Sequence, residues 1–369
     1  MMRFIYVSSL VMALVGCDKS SGGKGNQTDV NHSLDSNPAE QTQMLTDTVE
    51  VVIIPTYQEL SKRADALLVA VTTFDKDRSQ TNLDAMRAAW SATRSPWEQN
   101  EGFLFGPVEI GGYDEAIDTW PLNATDLRKV LTTTTTDAKI ATADRNQKGF
   151  HAAEFVIYGE NTANFASFKP VSAFTDNEMA YLSAVVRAIS KIGQQLAADW
   201  STAQGDKPAY KDTLITAGEP GNTTYPSRQA AMQTLIEKMA GICHEVSSAK
   251  IATPLSTRAA SDVESQFSFN SLKDFADNVR SVQNIYTGTY PTTGKSGASL
   301  SALVAKSNPD LDQRMKKGIN DAITAIQAIP EPFPKAIADS SNDAVISAAQ
   351  HALNDLETLL LNDVEALVK

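Results

Sequence analysis

The sequence predicts an all-α protein made of two packed helical bundles. Three observations support this expectation. Apolar residues recur at steps of three and four through most of the chain, which is the spacing of one buried helix face. Runs that alternate apolar and polar residues, as half-buried strands do, are absent. The 369 residues hold roughly eight to ten such helical segments, more than one four-helix bundle uses.

The chain opens with Met1-Met2-Arg3, a short basic stretch, followed by apolar residues from Phe4 to Val15. That run is too short to span a bilayer stably, so residues 1–16 read as a signal peptide. It ends in Leu14-Val15-Gly16-Cys17, the order of a bacterial lipobox, which makes Cys17 the expected lipid-bearing first residue of the mature protein. The expected location is the cell envelope, lipid-anchored and facing the periplasm. Asp18 leaves inner and outer membrane both open. Residues 17–47 are rich in Ser, Gly, Asn, Asp, Gln and Thr and read as a disordered tether. His32 lies within it as a solvated residue. The folded part is expected over 48–369, with helical halves of roughly 48–205 and 206–369 divided by the polar Gly- and Pro-containing stretch from Ser201 to Tyr225.

Within the folded part a helix is signalled from Pro55, with Tyr57, Leu60, Ala64, Leu67, Val71 and Phe74 on its stripe. Leu83, Met86 and Trp90 mark a second helix that Pro96 should kink or restart. Glu98 and Glu101 follow, i and i+3, sharing a face if that turn is helical. Periodicity breaks from Gly102 to Leu122, and Thr132 to Thr136 read as a connection. Thr175 to Glu178 fits a capping box before a helix with Leu182, Val185, Val186, Ile189, Ile192 and Leu196 on its stripe. Gly193 interrupts that stripe and points to a close helix contact. Met232, Leu235, Ile236, Met239, Ile242, Cys243 and Val246 give a further apolar face, placing the Cys243 thiol in the core. With Cys17 as the other thiol, no disulfide scaffold is expected. Further helices are read over Ser271–Tyr286, Leu311–Ile329 and from Asn342 onward.

The net charge of -12 speaks against a nucleic-acid partner, which needs concentrated basic residues to neutralise phosphates. Among the 4 His, His244 and His351 fall off their apolar stripes. His151 sits in Gly149-Phe150-His151-Ala152-Ala153-Glu154, three residues before a carboxylate. On a helix those two side chains share a face and could close on one metal ion.

Several residues taken together resemble the imelysin-like proteins, a family named after a peptidase and linked to bacterial iron uptake. They are Trp90, Arg94, Trp97-Glu98-x-x-Glu101, Phe103, Gly106-Pro107, Ile117-Asp118-x-Trp120-Pro121 and Gly149-x-His151-x-x-Glu154, with Val263-Glu264-Ser265 and Asp274-Phe275-x-Asp277-Asn278 further on. The resemblance covers nearly everything after the tether. It implies a two-bundle fold, an extracytoplasmic location and a functional site around the G-x-H-x-x-E motif. Carried over, the implied metal ligands are Glu98, Glu101, Asp118 and His151, with Glu154 beside them. Gly149, Arg94, Trp120, Ser265 and Asn278 are implied as supporting residues. The implied partners are the membrane, through Cys17, and the iron-uptake machinery. An added cupredoxin-like domain, present in some relatives, has no room in the tether.

Four carboxylates and an imidazole suit a divalent or ferric ion, iron or zinc first, with manganese and calcium also compatible. Three functional readings stay open. The first is a metal-binding envelope protein. The second is an imelysin-type metallopeptidase with Glu154 or Glu98 as base, although H-E-x-x-H is absent. The third is a lipid-anchored interaction protein whose polar site is structural, Arg94 neutralising the carboxylates.

Overall fold

The computed structural model describes residues 33–160 and 167–369. The expected signal peptide, Cys17 and His32 lie outside the described residues. The regular structure among the described residues is helical apart from one small hairpin, Thr289–Tyr290 paired antiparallel with Lys295–Ser296, and an isolated bridge between Gln204 and Lys207.

The helices begin earlier than the tether reading allows. Helix α1 spans Pro38–Asp47, with Asn37 and Glu40 forming a reciprocal capping box and Pro38 at the first position. Its sequence is mostly polar, which is why it reads as tether. Even so, Met44 and Leu45 are fully buried, and α1 packs against the short helix Lys211–Ile215 and against α6, Arg228–Glu245. A π-helical turn, Thr48–Ile53, leads into α2, Ile54–Lys76.

The first bundle packs α2 against α3, Gln80–Glu98, and against α5, Asp176–Ser201. The predicted α2 stripe, from Tyr57 to Phe74, is wholly buried. Gly193 marks a close contact with α2, since a Cβ there would meet the Ser61 Cα at 3.2 Å. The capping box at Thr175 and Glu178 starts α5. Pro96 does not restart α3. The helix runs through it to Glu98, and with only two residues left the missing N–H falls in the last turn.

In the second bundle α6 packs against α7, Ser271–Thr287, and α9, Asp343–Thr358, while α8, Pro309–Gln327, packs against both α7 and α9. The expected α6 face is buried throughout, Cys243 included. A π-helical segment, Val246–Ile251, continues α6. The two bundles meet where α3 lies against α7. Helix α4, Phe150–Tyr158, packs on α3 and α5, and all nine of its residues are buried. No helix among the described residues is long and apolar enough to cross a membrane.

Candidate metal centre

The site begins with a glycine. Gly149 caps α4 at φ +85°, and a Cβ there would lie 2.2 Å from the Ile117 carbonyl oxygen. Only glycine lets the start of α4 press on the backbone beside Asp118. The Trp90 indole donates to the Phe150 carbonyl at 3.2 Å and ties α4 to α3.

Arg94, on α3 and wholly buried, is the hub. Its guanidinium pairs with Glu98 one turn on, with Asp118, with Glu264 at 3.1 Å and with Asp274 at 3.5 Å. A second buried cation, Lys250 in the Val246–Ile251 π segment, lies 3.0 Å from Glu264 Oε2 and 3.7 Å from Glu98 Oε2. Asn278 on α7 donates to Glu98 Oε2 at 2.6 Å. Glu98, an expected ligand, is therefore committed to Arg94, Lys250 and Asn278.

His151 faces this cluster with its side chain 3% exposed. Nδ1 lies 3.2 Å from Glu154 Oε2. The other Glu154 oxygen accepts from the Phe267 and Ser268 amides at 3.0 and 2.7 Å and from the Ser268 hydroxyl at 2.7 Å. Glu154 thus stands behind the ring and orients it. With both its oxygens engaged by protein donors, it is poorly placed to take a proton from water, the role that the peptidase reading assigns it. Ser265, at φ +51°, turns the chain here and donates to Asp274 Oδ2 at 2.6 Å. Trp120 closes the outside, lining with Leu122, Val263, Gln266 and Phe267 a crevice too narrow for a water molecule.

The inward nitrogen, His151 Nε2, lies 3.2 Å from Asp118 Oδ1 and 3.7 Å from Glu264 Oε1. It is off the direction a hydrogen bond needs and is buried without a hydrogen-bond partner. Metal–ligand bonds of about 2.0–2.2 Å let two ligands of one ion stand at most about 4.4 Å apart, so both separations fit. The second Asp118 oxygen accepts from the Trp97 indole at 2.6 Å, and the second Glu264 oxygen faces Lys250. Both carboxylates are therefore held in place. One imidazole and two carboxylates form a donor set suited to zinc or iron, so the residues present fit a bound ion.

Glu101 falls in a different group of carboxylates. Together with Asp114 it brings carboxylate oxygens within 4.8 Å of one another and of Asp118, and Asp118 also belongs to the triad with His151 and Glu264. Of the expected ligands, His151 and Asp118 share one triad, Glu101 lies in the other, and Glu98 and Glu154 hold neighbouring side chains.

Charge explains the titration of the cluster. Seven carboxyl groups, Glu98, Glu101, Asp114, Asp118, Glu154, Glu264 and Asp274, meet two permanent cations, Arg94 and Lys250. Burial pushes Glu98 and Glu101 well above the usual carboxylate range despite the nearby cations. Burial also raises Asp274 to about 6, and burial reinforced by Asp118 and Glu245 raises Asp114 to about 7. For Asp118, Arg94 and His151 overcome burial and hold it well below its ordinary value. For Glu264, Lys250, His151 and Arg94 bring it down to about 2. Burial disfavours a charged His151, but the Asp118, Glu154 and Glu264 carboxylates outweigh it and lift the ring well above 6.5.

Sequence reasoning missed Lys250 and Asp114, and it quoted Asp274 and Glu264 only as family residues, without a place in the site. Two signals were available. Lys250 falls four residues after Val246, the last residue of the predicted apolar stripe, and Asp274 and Asn278 sit one turn apart on the buried side of α7. His244, half exposed beside Glu357, and the exposed His351 lie outside the centre.

A buried imidazole–carboxylate centre at the junction of two helical bundles is the setting in which this chain's class becomes visible: it belongs to the imelysin family. Residues 53–360 match that family's profile, described as Imelysin and named as a peptidase family. The chain is 30% identical over 321 residues to "Iron-regulated protein A" of Synechococcus elongatus, covering 87% of this chain and 85% of that protein. It also superposes on the crystal structure of a protein described as an iron-regulated protein A precursor from Parabacteroides distasonis. The TM-score there is 0.80 and the identity 28%, with 90% of this chain and 96% of that one covered. An imelysin-like protein from Psychrobacter arcticum shares the fold, with a TM-score of 0.70, 16% identity and coverage of 89% and 96%.

Proposed function

We propose that this protein is a lipid-anchored, periplasm-facing metal-binding member of the imelysin family that serves iron uptake. It holds one divalent or ferric ion, iron or zinc, between Asp118, His151 and Glu264. The single observation behind this reading is His151 Nε2, buried without a hydrogen-bond partner and aimed between two fixed carboxylate oxygens. Bare, that lone pair faces two negative charges. It needs either a proton or a metal ion. A bound ion supplies positive charge to a centre in which carboxyl groups outnumber cations. Glu154 then keeps Nε2 free by accepting the proton on Nδ1, as the outer partners of metal-bound imidazoles commonly do. The iron-regulated relatives favour iron as the cargo, and the Leu14-Val15-Gly16-Cys17 order favours the lipid anchor.

The test is elemental analysis of protein purified without chelator and then dialysed. One iron or zinc per chain is expected in the wild type and none in His151→Ala, while Glu154→Gln should weaken binding by about 10–100-fold. Unchanged metal content in His151→Ala would end this reading. The family's description as a peptidase supplies the second reading. It requires a polypeptide to reach a crevice that excludes water, and a base other than Glu154. Hydrolysis of unfolded polypeptide above a metal-free control would favour it. If neither metal content nor hydrolysis responds to these substitutions, the interaction-protein reading gains.

A further inference from the structure

We propose that the C-terminal end of α4 borders a second binding site, for an aromatic carboxylate, which is separate from the His151 centre and independent of the function proposed above. A cavity of about 590 Å³ opens there. Sites for small organic molecules commonly measure about 300–1,000 Å³. Phe155, Tyr158 and Phe168 supply its aromatic walls, and its charges are two ion pairs, Arg128 with Glu160 and Lys169 with Glu178. Tyr158 meets Phe168 edge to face, with ring centres 5.0 Å apart. Two of the rings also touch the loop that roofs the His151 crevice, Phe155 against Phe267 at 5.2 Å and Phe168 against Phe269 at 5.4 Å.

Charge decides which ligand this cavity prefers. Each of the three rings already carries a guanidinium. Arg87 lies 5.6 Å from the Tyr158 ring centre and 5.2 Å from that of Phe168, and Arg128 lies 5.9 Å from that of Phe155. A second cation brought to these rings would be repelled by the first, so a cationic ligand is disfavoured. A planar anion meets the opposite field.

Of the two ion pairs, one can give way. Glu178 is fully engaged. One of its oxygens accepts from Lys169 at 2.6 Å, and the other accepts from the Thr175 amide and hydroxyl at 2.8 and 3.2 Å in the capping box of α5. Glu160 has Arg128 as its sole partner among the described residues, and both side chains are nearly half exposed. Exposed pairs of this kind are weak. A ligand carboxylate can therefore take the guanidinium fork in place of Glu160, in the two-pronged geometry that arginine offers. The ligand's ring then packs among Phe155, Tyr158 and Phe168, whose faces and edges suit another aromatic ring.

Calorimetric titration of the full-length protein with naphthoate, with its neutral amide and with naphthylmethylammonium tests this. Naphthoate should bind, and the amide and the ammonium at least about tenfold more weakly, as expected when a charged hydrogen bond is lost. Arg128→Gln should lose a similar factor and no longer distinguish acid from amide. Glu160→Gln should bind naphthoate about two- to fivefold more tightly, because the competitor for Arg128 is gone. A poorly folded variant would not show that gain. Phe168→Leu, which keeps an apolar wall, should weaken acid and amide together, and His151→Ala should bind naphthoate as the wild type does. No binding of naphthoate by the wild type, or binding unchanged in both Arg128→Gln and Phe168→Leu, overturns the proposal. Tighter binding of the ammonium overturns it in favour of a cation received by Glu160. Naphthoate binding lost in His151→Ala overturns it in favour of a carboxylate that reaches the metal centre.

Discussion

Gly149 shows how much of the site hangs on one missing methyl. Its φ of +85° lies in the left-handed region, and the Ile117 carbonyl occupies the place of a side chain. Gly149→Ala should therefore cost about 2–4 kcal/mol, joining the left-handed penalty of roughly 1–2 kcal/mol to the backbone shift that a 2.2 Å contact forces. Urea denaturation measures it, and a loss under about 1 kcal/mol would show that Ile117 moves aside freely. The G-x-H-x-x-E pattern made Gly149 and His151 legible as site residues. It could not tell a ligand from an orienting residue. Glu154 and Glu98 are both carboxylates one turn from a key side chain. What separates them from ligands is the set of donors they meet, the Phe267 and Ser268 amides in one case and Arg94, Lys250 and Asn278 in the other. Apart from Arg94, one turn before Glu98, those partners lie more than a hundred residues away in the chain and leave no local trace.

At the scale of elements, the long stripes were readable because a helix buries residues at steps of three and four, and every predicted position from Tyr57 to Phe74 is buried. Two elements were not. Helix α1 is too polar to look buried, and Val246–Ile251 is a π turn that departs from the periodicity being read. That turn places Lys250 under the bundle junction. Lys250→Met should remove one of the two contact cations of Glu264, leaving Arg94, and one of those near Glu98, so that buried carboxylates are under-compensated. A loss of about 3–5 kcal/mol is expected in metal-free protein, as for other buried pairs broken on one side. Added Zn2+ should recover part of it by supplying positive charge beside Glu264. Denaturation with chelator and with Zn2+ tests this, and equal losses in the two conditions would mean that no ion compensates Glu264.

Across the whole molecule, the centre is a charge imbalance enclosed by two bundles, and it should respond to pH in one direction. In the metal-free fold, Asp274 at about 6 and Asp114 at about 7 stand above their unfolded value of 3.8, and His151 stands well above 6.5. Each group binds its proton more tightly folded than unfolded. The stability this gives is complete below the unfolded pKa and fades as pH rises through the folded one. Glu264, at about 2, and Asp118 act in the opposite sense, but their share is lost only below about pH 4, outside this window. Chelated protein should therefore lose stability steadily from pH 5 to pH 8. Metal binding displaces the same protons, so affinity should strengthen over that interval and the bound ion should flatten the decline. Denaturant midpoints at pH 5 and pH 8, with chelator and with saturating Zn2+, give four values that decide the matter. Parallel pH dependences in the two conditions would mean that the ion binds away from His151 and its carboxylates. A chelated protein more stable at pH 8 than at pH 5 would mean that Asp114, Asp274 and His151 are not the groups that set its pH response.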